Sequence, residues 1–316
     1  MLKGDDVPWS VFTSHIQQGS RVKPVRAALF APGSKERVMT KALEAGADAV
    51  ILDLEDSVAI AAKPEARKMV AAQIDSVAAS GKPAPGIFVR TNSPATGMLE
   101  EDLAAVVRPG LDAVFLPKAE TVDEVKNCAA MLDKFESAKG MKPGSVEICL
   151  MIESALGIYN CYNLIKASPR VTATCIGSAR DGDLQTDLGC AWSIEGTELL
   201  YAKSKVLCDT RAAGAYPLDG VYSDISDEAG LIRDSTLSAR LGFLGRTPIH
   251  PKQIAPIRKA YAVPEAEVIY YTRVVTEFEA AEKTGVAAIT IDGKLVDYAM
   301  YTRAKRVLAL AALDKA

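Results

Sequence analysis

Two acidic residues, Glu153 and Asp183, carry the clearest chemical signal in the sequence because each lies near the end of an apolar run. Glu153 closes the run Val146–Glu153, and Asp183 comes soon after the run Val171–Gly177. Such runs are typical of buried parallel strands. If both strands belong to one closed barrel, both carboxylates lie at the same mouth of it. A pair of carboxylates on a rigid rim supplies the hard oxygen ligands that Mg²⁺ prefers, with water and substrate completing the shell, so the sequence predicts a metal-assisted enzyme.

Each of the two acids also has an alternative interpretation. Glu153 could form a salt bridge with a neighbouring cation such as Lys118. Asp183 could cap a helix or lie in a loop within Asp181–Leu184. Asp181 competes with Asp183 as the second metal ligand, because spacing alone does not separate them.

Further charged residues lie where other predicted strands end, at the same mouth of the barrel. They are Arg26, Asp53, Glu55, Asp56, Arg90, Lys118 and His250. A charge in an otherwise apolar strand is costly unless it pairs with another charge or binds a ligand. The concentration of such charges at one end of the predicted barrel therefore indicates an active site.

The acids Asp53, Glu55 and Asp56 come directly after a predicted strand. They could bind the metal, hold its water ligands, or form buried ion pairs with nearby cations. Arg90 could clamp a carboxylate or stabilise a developing oxyanion, and its alternative role is to neutralise the acidic cluster. Lys118 could form a Schiff base with a carbonyl substrate, although the many carboxylates at this end favour ion pairing.

Three residues are candidates for binding a substrate or an anionic cofactor, namely Arg26, Lys35 and His250. Lys35 lies in Pro32–Arg37, where free backbone N–H groups at a helix start could receive a phosphate. The alternative there is an ordinary helix start capped by Ser34. His250 is a single histidine before a proline, and a structural role is the more common one for such a residue.

Eight apolar runs of strand length alternate with helical stretches and must position these residues. The predicted strands are 26–31, 47–54, 86–91, 112–118, 146–153, 171–178, 220–222 and 245–250. Eight strands that alternate with helices predict an α/β fold of the (β/α)₈ type, the TIM barrel. The rival is a doubly wound open sheet, which usually has a glycine-rich fingerprint after its first strand. Pro32-Gly33-Ser34 does not match that fingerprint.

The last fifty or so residues exceed what eight βα units require. We assign residues 1–262 to the barrel and residues 263–316 to an appended C-terminal arm or lid. Within the arm, the segment Ile289–Asp297 contains the turn dipeptide Asp292-Gly293. A final helix is predicted over Tyr298–Leu313.

Composition excludes several classes of protein. The formal net charge of −3 over 316 residues argues against non-specific nucleic-acid binding. No uncharged stretch reaches the roughly 20 residues that a membrane helix needs. Residues 1–6 contain no apolar signal core, and the six cysteines form no CxxC pair. We therefore expect a cytoplasmic protein with reduced cysteines, no nucleic-acid partner and no membrane association.

These residues, in this order, resemble the citrate lyase β-subunit family within the HpcH/HpaI aldolase superfamily. The matching segments are Arg26–Gly33, Ala47–Asp56, Arg90–Ser93, Glu100–Leu103, Leu116–Lys118, Ile152–Ser154, Asp183–Gly189, Ile249–Ile254 and Asp292–Asp297. The resemblance implies a TIM barrel with one Mg²⁺ per subunit, held by Glu153 and Asp183. It also implies a small-molecule acyl-CoA substrate, a homotrimer or hexamer, an arginine at Arg90 facing the reacting thioester, and an acid/base at Asp297 supplied by a neighbouring subunit.

The family resemblance indicates a lyase that cleaves a 3-hydroxy-3-carboxyacyl-CoA, of the malyl, citramalyl or citryl type, to a 2-oxo acid and acetyl-CoA. Alternatives within the superfamily are a citrate lyase β subunit acting on a carrier-protein thioester, a malyl-CoA thioesterase or malate synthase, and an aldolase of free 2-oxo acids. A non-catalytic barrel is disfavoured by the charged strand ends. One departure is that the loop Ile176–Asp183 is longer than usual for the family, so Arg180 and Asp181 are expected near the site.

Overall fold

The computed structural model describes residues 25–313 of the chain. The chain divides between Tyr261 and Ala262 into two compact units. The prediction about a signal core rests on residues 1–6, which lie outside the described residues. None of the described helices is long and apolar enough to cross a bilayer.

The first unit is a barrel of eight parallel strands, each paired with the next along the chain. Their bounds are β1 Ala28–Pro32, β2 Ala49–Asp53, β3 Gly86–Arg90, β4 Ala113–Pro117, β5 Glu147–Ile152, β6 Val171–Ile176, β7 Tyr216–Asp219 and β8 Gly245–Arg246. A parallel bridge between Ala27 and Arg246 joins the first strand region to the last. The predicted (β/α)₈ barrel is therefore confirmed, and the doubly wound alternative is wrong.

Helices connect the strands on the outside of the barrel, and four more elements form the second unit. The barrel helices are α1 Glu36–Leu43, α2 Lys63–Ser80, α3 Leu99–Val106, α4 Val122–Ala138, α5 Ala155–Lys166, α6 Asp183–Leu188, α7 Leu200–Ala213, α8 Glu228–Leu241 and α9 Ile254–Tyr261. Short 3₁₀ turns lie at Ile60–Ala62, Pro94–Thr96, Thr197–Leu199 and Pro251–Gln253.

Alternation along the strands explains why functional side chains point into the barrel. Leu29 and Leu150 pack with helix residues such as Val70 in one buried apolar cluster. Since successive side chains of a strand face opposite sides, the neighbours Phe30 and Met151 point into the barrel interior. Burying each large aliphatic side chain between the strands and the helices contributes about 1.5–3 kcal/mol to the stability of the fold. This burial fixes the register of each strand and therefore which side chains face the barrel interior.

The seventh and eighth strands differ from the prediction. The seventh is Tyr216–Asp219 rather than Gly220–Tyr222, and the eighth ends at Arg246 rather than at residue 250. Pro217 lies inside the seventh strand, where its carbonyl accepts the Leu244 N–H at 3.1 Å. A proline lacks only the donor, so a strand tolerates it where the acceptor alone is used.

The second unit contains a long helix, a hairpin and a final helix. They are α10 Glu265–Glu282, β9 Ile289–Ile291, β10 Lys294–Val296 and α11 Tyr298–Leu313. The predicted turn at Asp292-Gly293 is confirmed, with φ angles of 51° and 75° that suit a two-residue hairpin loop. Phe278, Ile291 and Val296 are buried in the small core of this unit.

Candidate active site

A cavity of about 330 Å³ lies at the carboxyl ends of the barrel strands. Its charged lining residues are Asp53, Asp56, Arg90, Glu153 and Asp183. Five residues that the sequence predicted at or after the ends of four strands are thus brought to one place. The carboxyl end of a parallel barrel is where active sites of this architecture lie.

Arg90, at the end of β3, neutralises the acidic cluster that follows β2. Its Nε and Nη2 atoms bind the two oxygens of Asp53 at 2.7 Å each, and Nη1 lies 3.1 Å from Glu55 and 3.3 Å from Asp56. Burial alone would raise the pKa of Asp53, but its hydrogen bonds and charge interaction with Arg90 outweigh that effect and lower the pKa. This bidentate pair fixes the guanidinium plane at the cavity wall.

Lys118, which follows β4, forms ion pairs with both this acidic cluster and the segment after β6. Its Nζ lies 3.2 Å from Glu55 Oε1 and 3.0 Å from Asp183 Oδ2. Burial would lower the pKa of Lys118, but Glu55 and the neighbouring carboxylates outweigh it and raise the pKa. Its φ of 53° is unusual for a residue other than glycine. Ion pairing, rather than an uncharged amine ready for a Schiff base, is therefore the arrangement present.

Glu153 lies directly after β5, and only 8% of the residue is exposed. Its Oε2 atom has no hydrogen-bond partner among the described residues. Burial, reinforced by the charge of Glu55, raises the pKa of Glu153 to about 7. The expected alternative, a salt bridge to Lys118, is not formed in the described structure, because Lys118 pairs with other acids.

The donor set fits a hard divalent cation. A buried carboxylate oxygen without a partner is costly, and Glu153 supplies one in a cavity that Asp183 also lines. Residues 25–313 contain no cluster of three or more His, Cys, Asp or Glu side chains arranged to hold a metal. Mg²⁺ is commonly bound by two carboxylates, and water and substrate occupy its remaining coordination positions.

The structure distinguishes between Asp183 and Asp181 as candidates for the second metal ligand. Asp183 opens α6 and lines the cavity, and Gly182 rather than Asp183 is the N-cap residue of that helix. Asp181 is mostly exposed and has a φ of 57°, and its backbone N–H donates to Gln185. Of the two candidates, Asp183 is the one whose position suits a metal ligand. The capping alternative for Asp183 is wrong.

The three predicted substrate-binding residues do not line the cavity. Arg26 precedes β1, at the amino end of the barrel, where its Nη1 donates to the Leu244 carbonyl at 2.9 Å. The prediction that Arg26 lies at the mouth is wrong, because the strand begins after this residue rather than ending near it.

Lys35 and His250 have local roles at helix starts. Lys35 is exposed and occupies the N-cap position of α1, so the expected cap at Ser34 is wrong. His250 caps the turn Pro251–Gln253, where its Nδ1 accepts the Lys252 N–H at 3.2 Å. The structural interpretation of His250 is therefore the one observed, and binding of CoA or substrate by either residue stays a prediction.

Asp297 belongs to the second unit. It is half-buried, and its Oδ1 accepts the backbone N–H groups of Ala299 and Met300 at 2.9 and 3.1 Å. It thus begins α11 as a side-chain cap. Its predicted role as acid/base stays a prediction.

Several residues that hold the site loops were not predicted from the sequence. Lys63 is buried and its Nζ donates to the carbonyls of Leu54 and Glu55 at 2.8 and 2.9 Å, which fixes the loop after β2. Nothing in the sequence distinguishes Lys63 from a surface lysine. Asp102 accepts both the backbone and side-chain N–H groups of Asn92 at 2.7 Å, which fixes the loop after Arg90.

Asp219, at the end of β7, holds the loop that leads to Asp183. Its Oδ1 accepts the Ser178 hydroxyl at 3.0 Å, and its Oδ2 pairs with the buried Lys203 at 2.9 Å. Its charge at a strand end could have identified it, but the predicted seventh strand began one residue too late to include it.

Comparisons with known proteins identify the family of the chain. A sequence model of the family described as HpcH/HpaI aldolase/citrate lyase matches residues 26–251, and one described as C–C bond lyase of the TIM-barrel fold matches residues 202–314. The chain is 36% identical to citrate lyase subunit beta of Escherichia coli (strain K12) over 94% of this chain and 96% of that protein. It is 30% identical to the mitochondrial citramalyl-CoA lyase of Homo sapiens, over 91% of this chain and 86% of that protein.

A solved structure is similar over almost the same length. The crystal structure of protein CitE from Mycobacterium tuberculosis in complex with magnesium, acetoacetate and coenzyme A has a TM-score of 0.70 and 28% identity, and the match covers 92% of this chain and 98% of that chain. The resemblance inferred from the sequence is thereby confirmed. The chain belongs to the HpcH/HpaI aldolase/citrate lyase family of carbon–carbon lyases.

Proposed function

We propose that this protein is a Mg²⁺-dependent lyase that cleaves a 3-hydroxy-3-carboxyacyl-CoA to a 2-oxo acid and acetyl-CoA. The observation that carries the proposal is the buried Glu153 carboxylate, whose Oε2 has no hydrogen-bond partner within residues 25–313, in a cavity that Asp183 and Arg90 also line. Glu153 and Asp183 would hold the cation, which when bound supplies Lewis acidity to the substrate's hydroxyl and carboxylate oxygens.

In this proposal Asp297 removes the proton of the substrate hydroxyl as general base. The carbonyl of the 2-oxo acid then forms as the bond between the hydroxyl-bearing carbon and the thioester's α carbon breaks. The electron pair of that bond enters the thioester as an enolate, and a proton delivered to the α carbon gives acetyl-CoA. The reverse direction is a Claisen-type condensation.

Arg90 is the residue proposed to stabilise the enolate oxygen. Its two hydrogen bonds to Asp53 hold the guanidinium in one orientation, so that no reorganisation is needed as charge develops. One donor of this kind is typically worth about 3 kcal/mol of transition-state stabilisation.

Asp297 would come from a neighbouring subunit of a homotrimer or hexamer, with the second unit acting as the arm that delivers it. We also place the protein in the cytoplasm, since all six cysteines are unpaired. The arm's role, the oligomer and the compartment are part of the proposal.

A panel of malyl-, citramalyl- and citryl-CoA, scored for release of 2-oxo acid in Mg²⁺, tests the activity. Asp297→Asn should abolish release while leaving Mg²⁺ binding, measured by calorimetry, unchanged. Asp292→Asn, in an exposed turn of the same unit, is the matched control and should keep activity. Full activity of the Asp297 variant would refute its assignment.

The identity to citrate lyase subunit beta favours a second candidate, action on a carrier-protein thioester. Presenting the same acyl group on CoA and on an acyl carrier protein separates the two. Turnover of the carrier thioester alone would replace the CoA proposal with this one.

A further inference from the structure

We infer, on the basis of the proposed function, that the preferred substrate carries hydrogen or methyl at its hydroxyl-bearing carbon, rather than the carboxymethyl group of a citryl thioester. The three candidate acyl groups differ only at this substituent. A carboxymethyl group adds a second negative charge next to the carboxylate that all three share. The walls of the cavity decide whether that charge can be accommodated.

The charges of the cavity disfavour an additional carboxylate. Four of the described lining residues are acidic, and Arg90 is the one cationic side chain among them. Its guanidinium is already shared by Asp53, Glu55 and Asp56, and the proposed function assigns its remaining hydrogen-bonding capacity to the thioester oxygen. A carboxylate brought into this cavity without a cation of its own would lose its hydration and be repelled by Asp53 and Asp56, the two lining acids that the proposed function does not assign to the metal.

Lys118 does not supply the missing charge. Its Nζ lies within 4 Å of three carboxylates, those of Glu55, Asp56 and Asp183. Glu55 and Asp56 remain its partners when Asp183 holds the cation, so the ammonium has no excess positive charge for a substrate group. The residue also does not line the cavity.

Apolar side chains form one part of the cavity wall, on strands other than the two that end in Asp53 and Arg90. Phe30 on β1, Met151 on β5 and Cys175 on β6 line it, and Met151 and Cys175 are 4% and 1% exposed. Val221 and Ile249 extend this wall from the loops after β7 and β8. A wall of this kind takes a hydrogen or methyl substituent without leaving a polar group unpaired.

Arg180 is a further cation near the mouth, and it does not line the main cavity. Its guanidinium lies 4.8 Å from the centre of the Trp192 ring, and it lines a neighbouring cavity of about 70 Å³ that also contains Asp224, Asp227 and Asp234. Those acids compete for its charge. Arg180 is therefore not expected to bind a substrate carboxylate in the main cavity.

The test is the ratio of kcat/KM values for malyl-, citramalyl- and citryl-CoA with the Mg²⁺-loaded wild-type protein. We expect one of the two smaller substrates to exceed citryl-CoA by at least about 100-fold, because the unpaired carboxylate is rejected. Calorimetry with the free products should show glyoxylate or pyruvate binding at least about tenfold more tightly than oxaloacetate.

Two outcomes would overturn the inference in distinguishable ways. Cleavage of citryl-CoA at a comparable or higher kcat/KM would refute the inference and leave the proposed lyase activity standing. Release of no 2-oxo acid from any of the three thioesters would refute the proposed function, and the inference with it.

Variants locate the selectivity in the apolar wall. Met151→Lys adds a cation to the wall and should raise the citryl-to-citramalyl ratio at least about tenfold, whereas Met151→Leu keeps the wall apolar and should leave the ratio unchanged. Arg180→Ala should also leave it unchanged, and a large fall in citryl turnover in that variant would contradict the exclusion of Arg180. Should Met151→Lys fail to fold, the wild-type ratio still decides the inference.

Discussion

Replacing Glu153 by Gln is predicted to stabilise the metal-free protein at alkaline pH while removing metal binding. The pKa of the buried Glu153 carboxyl is raised from 4.5 to about 7. Folding therefore favours the protonated form, and glutamine resembles that form in shape and charge. In the wild type, the stability that the protonated Glu153 carboxyl contributes is fully present below the unfolded pKa of 4.5. It is lost as the pH rises through about 7.

The size of the effect follows from the same two values. Each pH unit between 4.5 and about 7 corresponds to about 1.4 kcal/mol, which gives about 3 kcal/mol between the acidic and alkaline limits. In EDTA, Glu153→Gln should match the wild type near pH 4.5 and exceed its free energy of unfolding by about 3 kcal/mol near pH 8. Excess Mg²⁺ should reverse the order, because only the wild type gains binding energy.

Urea denaturation of both proteins across this pH range, with and without EDTA, is the assay. Glu100→Gln is the matched control, since Glu100 is an exposed partner of Lys134 and should show no such pH dependence. Two results would refute the argument from a buried charge. One is a Glu153→Gln protein that is less stable than the wild type in EDTA near pH 8. The other is a difference in the free energy of unfolding between the two proteins that does not change with pH.

Two further substitutions test how the site is held. Gly177→Ala should lower the free energy of unfolding by about 1–3 kcal/mol and weaken Mg²⁺ binding measured by calorimetry, because the added Cβ would lie 2.5 Å from Glu153 Cγ. Asp53→Asn should cost about 3–5 kcal/mol in urea denaturation, since it breaks the buried bidentate pair with Arg90 and leaves the guanidinium undercompensated.

Matched controls distinguish these effects from a non-specific loss of stability. Gly86→Ala adds the same atom at the amino end of β3, where the nearest contact is 3.3 Å, and should leave Mg²⁺ binding unchanged. Asp75→Asn breaks the more exposed pair with Arg108 and should cost less than about 1 kcal/mol. A Gly177 variant that binds Mg²⁺ normally, or an Asp53 variant no less stable than the Asp75 control, would contradict the geometry.

The first six strands could be predicted because buried parallel strands are nearly continuous apolar runs. The seventh could not be placed, because Asp219 ends it as a buried charge and Pro217 lies within it. The burial of Asp219 depends on its ion pair with Lys203, which lies on a different element, helix α7. Local patterns do not contain that information.

The candidate site was predictable in part for the same reason. Strand ends identified Asp53, Arg90 and Glu153 because a charge next to an apolar run is visible in the sequence. Arg26 was misplaced because the same pattern appears at either end of a strand, and only the structure shows that β1 begins after it. Lys63 was missed because its partners are backbone carbonyls, which have no sequence signature.

A crystal structure determined with magnesium tests the central claim most directly. We expect one cation in the barrel cavity with oxygen atoms of both Glu153 and Asp183 at about 2.1 Å, and Lys118 no longer bound to Asp183. A cation bound elsewhere, or the Glu153 and Asp183 side chains directed away from each other with magnesium present, would contradict it.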